Sequence, residues 1–120
     1  MNFNDFYWHD AIIKNIQIDR NSPGVNDFII FDIEWPEEKG KANFIFEEVY
    51  WASINMNFGI VADESILNAS ELEENDQDLK SLYSKWKGVI DNVKLKGFKF
   101  RLNSTGSEIK IIAKRFRVDK

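Results

Sequence analysis

The chain contains no cysteine. That single absence removes disulfides, thiolate zinc sites and cysteine nucleophiles together, and a fold without disulfides needs no oxidising compartment. His9 is the only histidine. A metal centre built on several imidazoles is therefore excluded. A Ser-His-Asp hydrolase would have to use His9 as its base, and no Gly-x-Ser-x-Gly elbow accompanies it. There is no Walker loop and no dinucleotide-binding glycine motif, so no nucleotide cofactor is expected. Long apolar runs are missing too. The longest stretch without a charge is the fourteen residues 49–62, short of the roughly 18 apolar residues that span a bilayer. Ser53, Asn55 and Asn57 interrupt it. The start, Met1-Asn2-Phe3-Asn4-Asp5-Phe6, has no positive region followed by an apolar one. It does not read as a signal peptide, and the expectation is a cytoplasmic protein that engages no membrane. With only two prolines and six glycines, no linker, repeat or low-complexity tract stands out.

What is present is bulk and charge. A length of 120 residues with 43% hydrophobic content implies one globular domain over residues 1–120. Ten Phe and four Trp supply the core, since aromatic side chains bury the most area each. Phe3, Phe6, Tyr7 and Trp8 put much of that bulk at the very start, so this segment must dock. The net charge of −4 hides a division. Residues 1–75 hold four Lys/Arg and fifteen Asp/Glu, a net −11, whereas residues 76–120 hold twelve and five, a net +7. Such halves either steer a partner or neutralise each other in the fold or across a dimer.

Period-two alternation of β-branched and aromatic residues predicts strands over residues 11–20, 28–35 and 41–51. Asn21-Ser22-Pro23-Gly24 and Pro36 to Gly40 provide the turns, and links this short require an antiparallel meander. Ile66, Leu67, Ala69 and Leu72 predict a short helix over 64–73. Leu79, Leu82, Tyr83 and Trp86 predict a second over 77–87, with Trp86 buried and Gly88 as its stop. Two further strands follow, over 93–102 and 108–118, joined at Asn103-Ser104-Thr105-Gly106. Ile112, Phe116 and Val118 are read on one face. The fold class is α+β: an antiparallel sheet of about five strands, ordered β-β-β-α-α-β-β, with one or two helices packed on one face.

The uncharged middle, residues 49–62, is read as core followed by a structural turn, with a ligand groove as the other reading. Gly59 is expected at positive φ, joining the third strand to the first helix. Carboxylates at Asp32, Glu34, Glu47 and Glu48 allow a carboxylate enzyme around His9, although charges on solvated strand faces are commoner. The basic run Lys94, Lys96, Lys99 and Arg101 with Phe98 and Phe100 faintly suggests an RNA-binding sheet. The acidic balance and the lack of an aromatic-basic signature argue against nucleic acid. Candidate protein-binding residues are Glu47, Glu48, Tyr50, Trp51, Glu71, Glu73 and Glu74, an acidic surface with two aromatics suited to a basic protein.

Trp8-His9-Asp10-Ala11, Ile18-Asp19-Arg20 with Pro23-Gly24, Trp35-Pro36, Asn57-Phe58-Gly59-Ile60 with Glu64-Ser65-Ile66, and Asn103-Ser104-Thr105-Gly106 together span nearly the whole chain. On these residues the chain resembles a family of small bacterial proteins with no assigned activity. More loosely, it is similar to immunity proteins of polymorphic toxin systems. The resemblance implies no catalytic, metal or cofactor residue. The functional expectation is a non-enzymatic cytoplasmic binding protein of the toxin-neutralising kind. The alternatives are a small carboxylate enzyme around His9 or a structural homodimer subunit.

Overall fold

The computed structural model describes residues 2–120. Six strands form: β1 (Ile12–Ile18), β2 (Phe28–Trp35), β3 (Gly40–Asn55), β4 (Ile66–Glu71), β5 (Lys96–Leu102) and β6 (Glu108–Asp119). One helix, α1 (Gln77–Lys85), lies between β4 and β5, and a 3-10 turn, Phe3–Asp5, precedes β1. The strands make one antiparallel sheet in the order β1-β2-β3-β6-β5-β4. The expected architecture, an antiparallel sheet with helix, is present with six strands and one helix.

The extra strand is β4, where a helix over 64–73 was expected. A register shift between Ile66 and Asn68 disturbs the pairing of β4 with β5. Ile66 is buried and Ala69 packs on the same core, three residues apart. A bulge thus gives a strand the i, i+3 spacing of a helix face. Pairing with β5 decides the outcome, because tertiary context overrides local propensity.

The sheet curls until its two edges meet at one end. The Asp10 N–H donates to the Ile66 carbonyl at 2.9 Å, the Ile66 N–H to Ala11 at 2.7 Å, and the Ile13 N–H to Glu64 at 3.0 Å. These bonds pair edge groups that would otherwise be open. The aromatic N-terminal segment fills the space inside. Phe3 is fully buried, and its ring lies 4.9 Å from Phe98, 5.4 Å from Phe116 and 5.6 Å from Phe100. Two indole N–H groups hold this segment: Trp8 donates to the Phe3 carbonyl at 2.9 Å and Trp35 to the Tyr7 carbonyl at 2.7 Å.

A smaller apolar cluster lies on the outer face. Leu79 and Leu82 of α1, with Ile90 and Leu95, pack on Ile112 of β6. The Tyr83 hydroxyl ties the chain after the helix, donating to the Val93 carbonyl at 2.6 Å and accepting from the Leu95 N–H at 2.9 Å. Ile112 therefore does not share a face with Phe116 and Val118, which pack on the inner core. Facing switches between Ala113 and Phe116 and, opposite them, between Phe46 and Val49. Glu48, inside that switch, has φ +52°. That left-handed conformation is costly for a residue with a Cβ and marks a kink in the strand.

Trp86 is also corrected: it is 47% exposed rather than buried. The helix ends at Lys85 and Trp86 is its C-terminal cap. Gly88, at φ +88°, then reverses the chain, and Ile90 occupies the place beneath the helix. The helix thus stops two residues short of the expected Lys87, and Gly88 lies in the turn that follows.

Candidate functional site

A concavity opens beside the kink at Glu48. β2 pairs with β3 only over Gly40 to Glu47. Beyond it the Val49 N–H still reaches the Asp27 carbonyl at 2.8 Å. From there to Asn55, β3 is paired with β6 alone. The space that a longer β2 would fill is a cleft of about 880 Å³. Its floor is β3 from Glu48 to Ile54, one wall is the β1–β2 connection with Arg20, Gly24, Val25 and Asp27, and the other wall is Trp86, Val89 and Ile90. Asp27 holds the first wall in shape, accepting from the Gly24 N–H at 3.1 Å and from Arg20 at 2.8 Å. Those two bonds, the Gly24 amide above all, keep its carboxyl below the usual range.

Apart from Val49 and Trp51, which pack on the two apolar clusters, the uncharged middle of the sequence is thus not core. Tyr50, Ala52 and Ile54 are exposed on the cleft floor, and Ser53 and Asn55 are exposed on the same stretch of β3. The run continues into a loop on which Phe58 is 85% and Val61 104% exposed. Gly59 has the expected positive φ, +86°, but its loop joins β3 to β4, with no helix there. The loop is anchored at its base. The Asn57 N–H donates to the Ser107 hydroxyl and its side-chain amide to the Thr105 carbonyl, each at 2.9 Å. The Thr105 hydroxyl bonds to the Glu64 carboxylate and to Ser107. Asn57, Glu64 and Thr105, read as separate motifs in the sequence, meet here as one polar clamp.

The predicted acidic surface is divided. Glu48 pairs with Lys114 at 3.0 Å and Arg115 at 2.8 Å; Glu47 pairs with Arg115 at 3.3 Å and Arg117 at 3.2 Å. Hydrogen bonds from Lys114 and Arg115 hold the Glu48 carboxyl below the usual range. The basic half of the chain therefore neutralises the acidic half at this point of the sheet. Glu71 ends β4, three strands away from β3. At about 4.8 Å per strand that is roughly 14 Å across the sheet. Glu73 and Glu74 are exposed beyond it. Tyr50 and Trp51 line the cleft, Trp51 half-buried against the cluster under α1. Trp86, Val89 and Val25 join them there, residues that sequence reading did not assign to a site. Trp86 was masked by its helical spacing, and Val25 and Val89 carry no local signal.

His9 and Asp10 lie together at 3.2 Å, both largely exposed. Among the described residues no group of three or more His, Asp or Glu is placed to hold a metal ion. Among them, too, no helix is long and apolar enough to cross a membrane.

One polar cluster fastens α1 to the sheet. Asp76 caps the helix, accepting from the N–H groups of Asp78 and Leu79 at 3.0 and 3.2 Å. Lys110 reaches it from β6 at 2.8 Å and also bonds Asp78 at 2.6 Å. Burial pushes the Asp76 carboxyl up, but the bonds from Lys110 and the helix amides outweigh it and hold it below its usual 3.8. Burial pushes the Lys110 ammonium down, and the two carboxylates outweigh that, raising it above 10.5. A depressed carboxyl stabilises the fold above its unfolded value and loses that contribution as pH falls through the folded value. A raised ammonium loses its contribution as pH climbs through the folded one. Asp76→Ala should therefore cost about 1–2 kcal/mol at pH 7, the scale of a lost N-cap. The gap to the wild type should shrink below the usual 3.8 of a free aspartate. Urea melts at pH 7 and pH 3 check this, and a gap that stays constant would refute it.

No protein-family model, curated protein or solved structure matches the chain.

Proposed function

We propose that this chain is a non-enzymatic binding protein that takes a protein partner in the cleft beside β3. The observation that carries the reading is the placement of the uncharged run, which lies on the surface as cleft floor and apolar loop. Of the exposed large apolar side chains, Ile18, Val25, Tyr50, Ile54, Trp86 and Val89 line this one cleft. Apolar surface gathered in one place, with tyrosine and tryptophan in it, is the composition of a protein-recognition patch. Toxin neutralisation, the form implied by the resemblance, is one case of such binding. The ion pairs of Glu47 and Glu48 with β6 favour recognition through apolar contact over capture of a basic partner by those two acids.

The test is capture from native lysate with the wild-type chain and with Tyr50→Glu/Ile54→Glu. Mass spectrometry should identify a protein retained by the wild type and lost by the double variant. A partner retained equally by both would overturn the assignment of the cleft.

A further inference from the structure

The floor of the cleft is more than apolar. It is half of a β-strand with an open side. Over residues 51–55 β3 pairs with β6 on one side, while β2 has already ended on the other. Alternate N–H and C=O groups of this stretch therefore face the cleft. A bare edge of this kind is a template for another strand, and native sheets ordinarily cover or charge it. Here it is neither. Ala52, Ser53, Ile54 and Asn55 carry no charge and are exposed.

We infer that an extended segment of the protein partner adds to the sheet as a strand along residues 50–55 of β3, continuing the line that β2 abandons. This rests on the cleft being the binding site. Six residues of edge measure about 20 Å, enough for a short strand held by main-chain hydrogen bonds, with alternate side chains in pockets. Val25 on one wall and Trp86 and Val89 on the other supply the apolar contacts.

Charge narrows the segment further. Of the charged residues that line the cleft, Arg20 is paired with Asp27, and Glu48 with Lys114 and Arg115. Among the described residues the lining thus offers no unneutralised charge, and the fitting segment alternates apolar residues and is uncharged where it crosses the floor. A second copy of the chain fits less well. Each copy's free edge lies between its own walls, so two such edges cannot approach within the spacing of a ladder.

The probe is a phage-displayed library of random peptides about 12 residues long, a length that covers the edge with overhang. It is selected on the wild-type protein and counter-selected on Ile54→Lys and, separately, on Val25→Asp, an exposed wall position whose change leaves the sheet intact. Enriched peptides should alternate apolar residues with no charge in the paired stretch, slow amide exchange in residues 50–55, and weaken at least about tenfold when alternate backbone nitrogens are methylated. Failure to enrich peptides over the two counter-selecting variants would overturn strand addition. So would peptides that bind the cleft regardless of methylation, an outcome that spares the binding-protein reading. A dimer in sedimentation that dissociates on Ile54→Lys and blocks the peptides would assign the edge to a second copy and overturn the inference. The lysate capture fails separately, through a partner indifferent to Tyr50 and Ile54.

Discussion

Phe3→Ala is expected to lower the unfolding free energy by about 3–5 kcal/mol, the range for truncating a fully enclosed phenylalanine. A position three residues from the start of a chain ordinarily tolerates change. Here the ring sits inside the curl of the sheet. It stacks on Trp8 at 4.7 Å and touches the inner faces of β5 and β6 through Phe98, Phe100 and Phe116. The lost ring leaves a cavity that cannot easily collapse, because the surrounding strands are held by their ladders. The Phe3 carbonyl also accepts the Trp8 indole N–H, so the segment would lose registration as well as area. With a total stability of about 5–15 kcal/mol typical of a domain, such a loss is a large part of the whole. Urea denaturation followed by tryptophan fluorescence measures it. A change below about 1 kcal/mol would mean that the N-terminal segment does not plug the sheet.

This plug was legible in the sequence from Phe3, Phe6 and Trp8, although Tyr7, expected to dock with them, is 72% exposed. The first meander was legible too. β2 runs from Phe28 to Trp35 as expected, with Ile29, Phe31 and Ile33 buried on one face. The helix from Gln77 and the closing hairpin were readable from periodicity and turn chemistry. β4 was not, because its bulge imitates helical spacing. The site was least legible of all. Its run of uncharged residues reads as core in one dimension, and only the place where β2 stops pairing leaves it on the surface. That stopping point follows the kink at Glu48, a residue whose type gives no hint of positive φ. The motifs carrying the resemblance have structural work in the fold: Trp8 and Trp35 hold the plug, and Asn57, Glu64 and Thr105 clamp two loops. They describe the scaffold and, through Ile18, Arg20 and Gly24, part of one wall of the cleft, whereas Val25, Trp86 and Val89 lie outside them.

The clearest separation of scaffold from site comes from two isoleucines on neighbouring parts of β6. Ile112→Ala should cost about 2–5 kcal/mol, as should Ile109→Ala, because both side chains are fully buried. Their consequences for the cleft should differ. Ile109 faces the inner core with Phe100, which β3 and β5 hold from both sides. Ile112 stands alone beneath α1, where Leu79, Leu82, Ile90 and Leu95 converge on it. Removing it loosens the helix and with it Trp86 and Val89, the second wall of the cleft. The floor itself is touched in both variants, since Trp51 lies opposite Ile112 and Ile54 opposite Ile109 in the ladder, so the two differ at the helix wall. Amide exchange in Leu79, Leu82 and Tyr83 should quicken in Ile112→Ala well beyond its global loss of stability, because a sub-global opening is being favoured. In Ile109→Ala, exchange in α1 should rise only in step with global unfolding. Peptides selected on the cleft should weaken more in the first variant than in the second under conditions where both remain folded. Equal exchange and equal peptide binding in the two variants would show that α1 does not depend on Ile112 and that the helix wall is not what shapes the cleft.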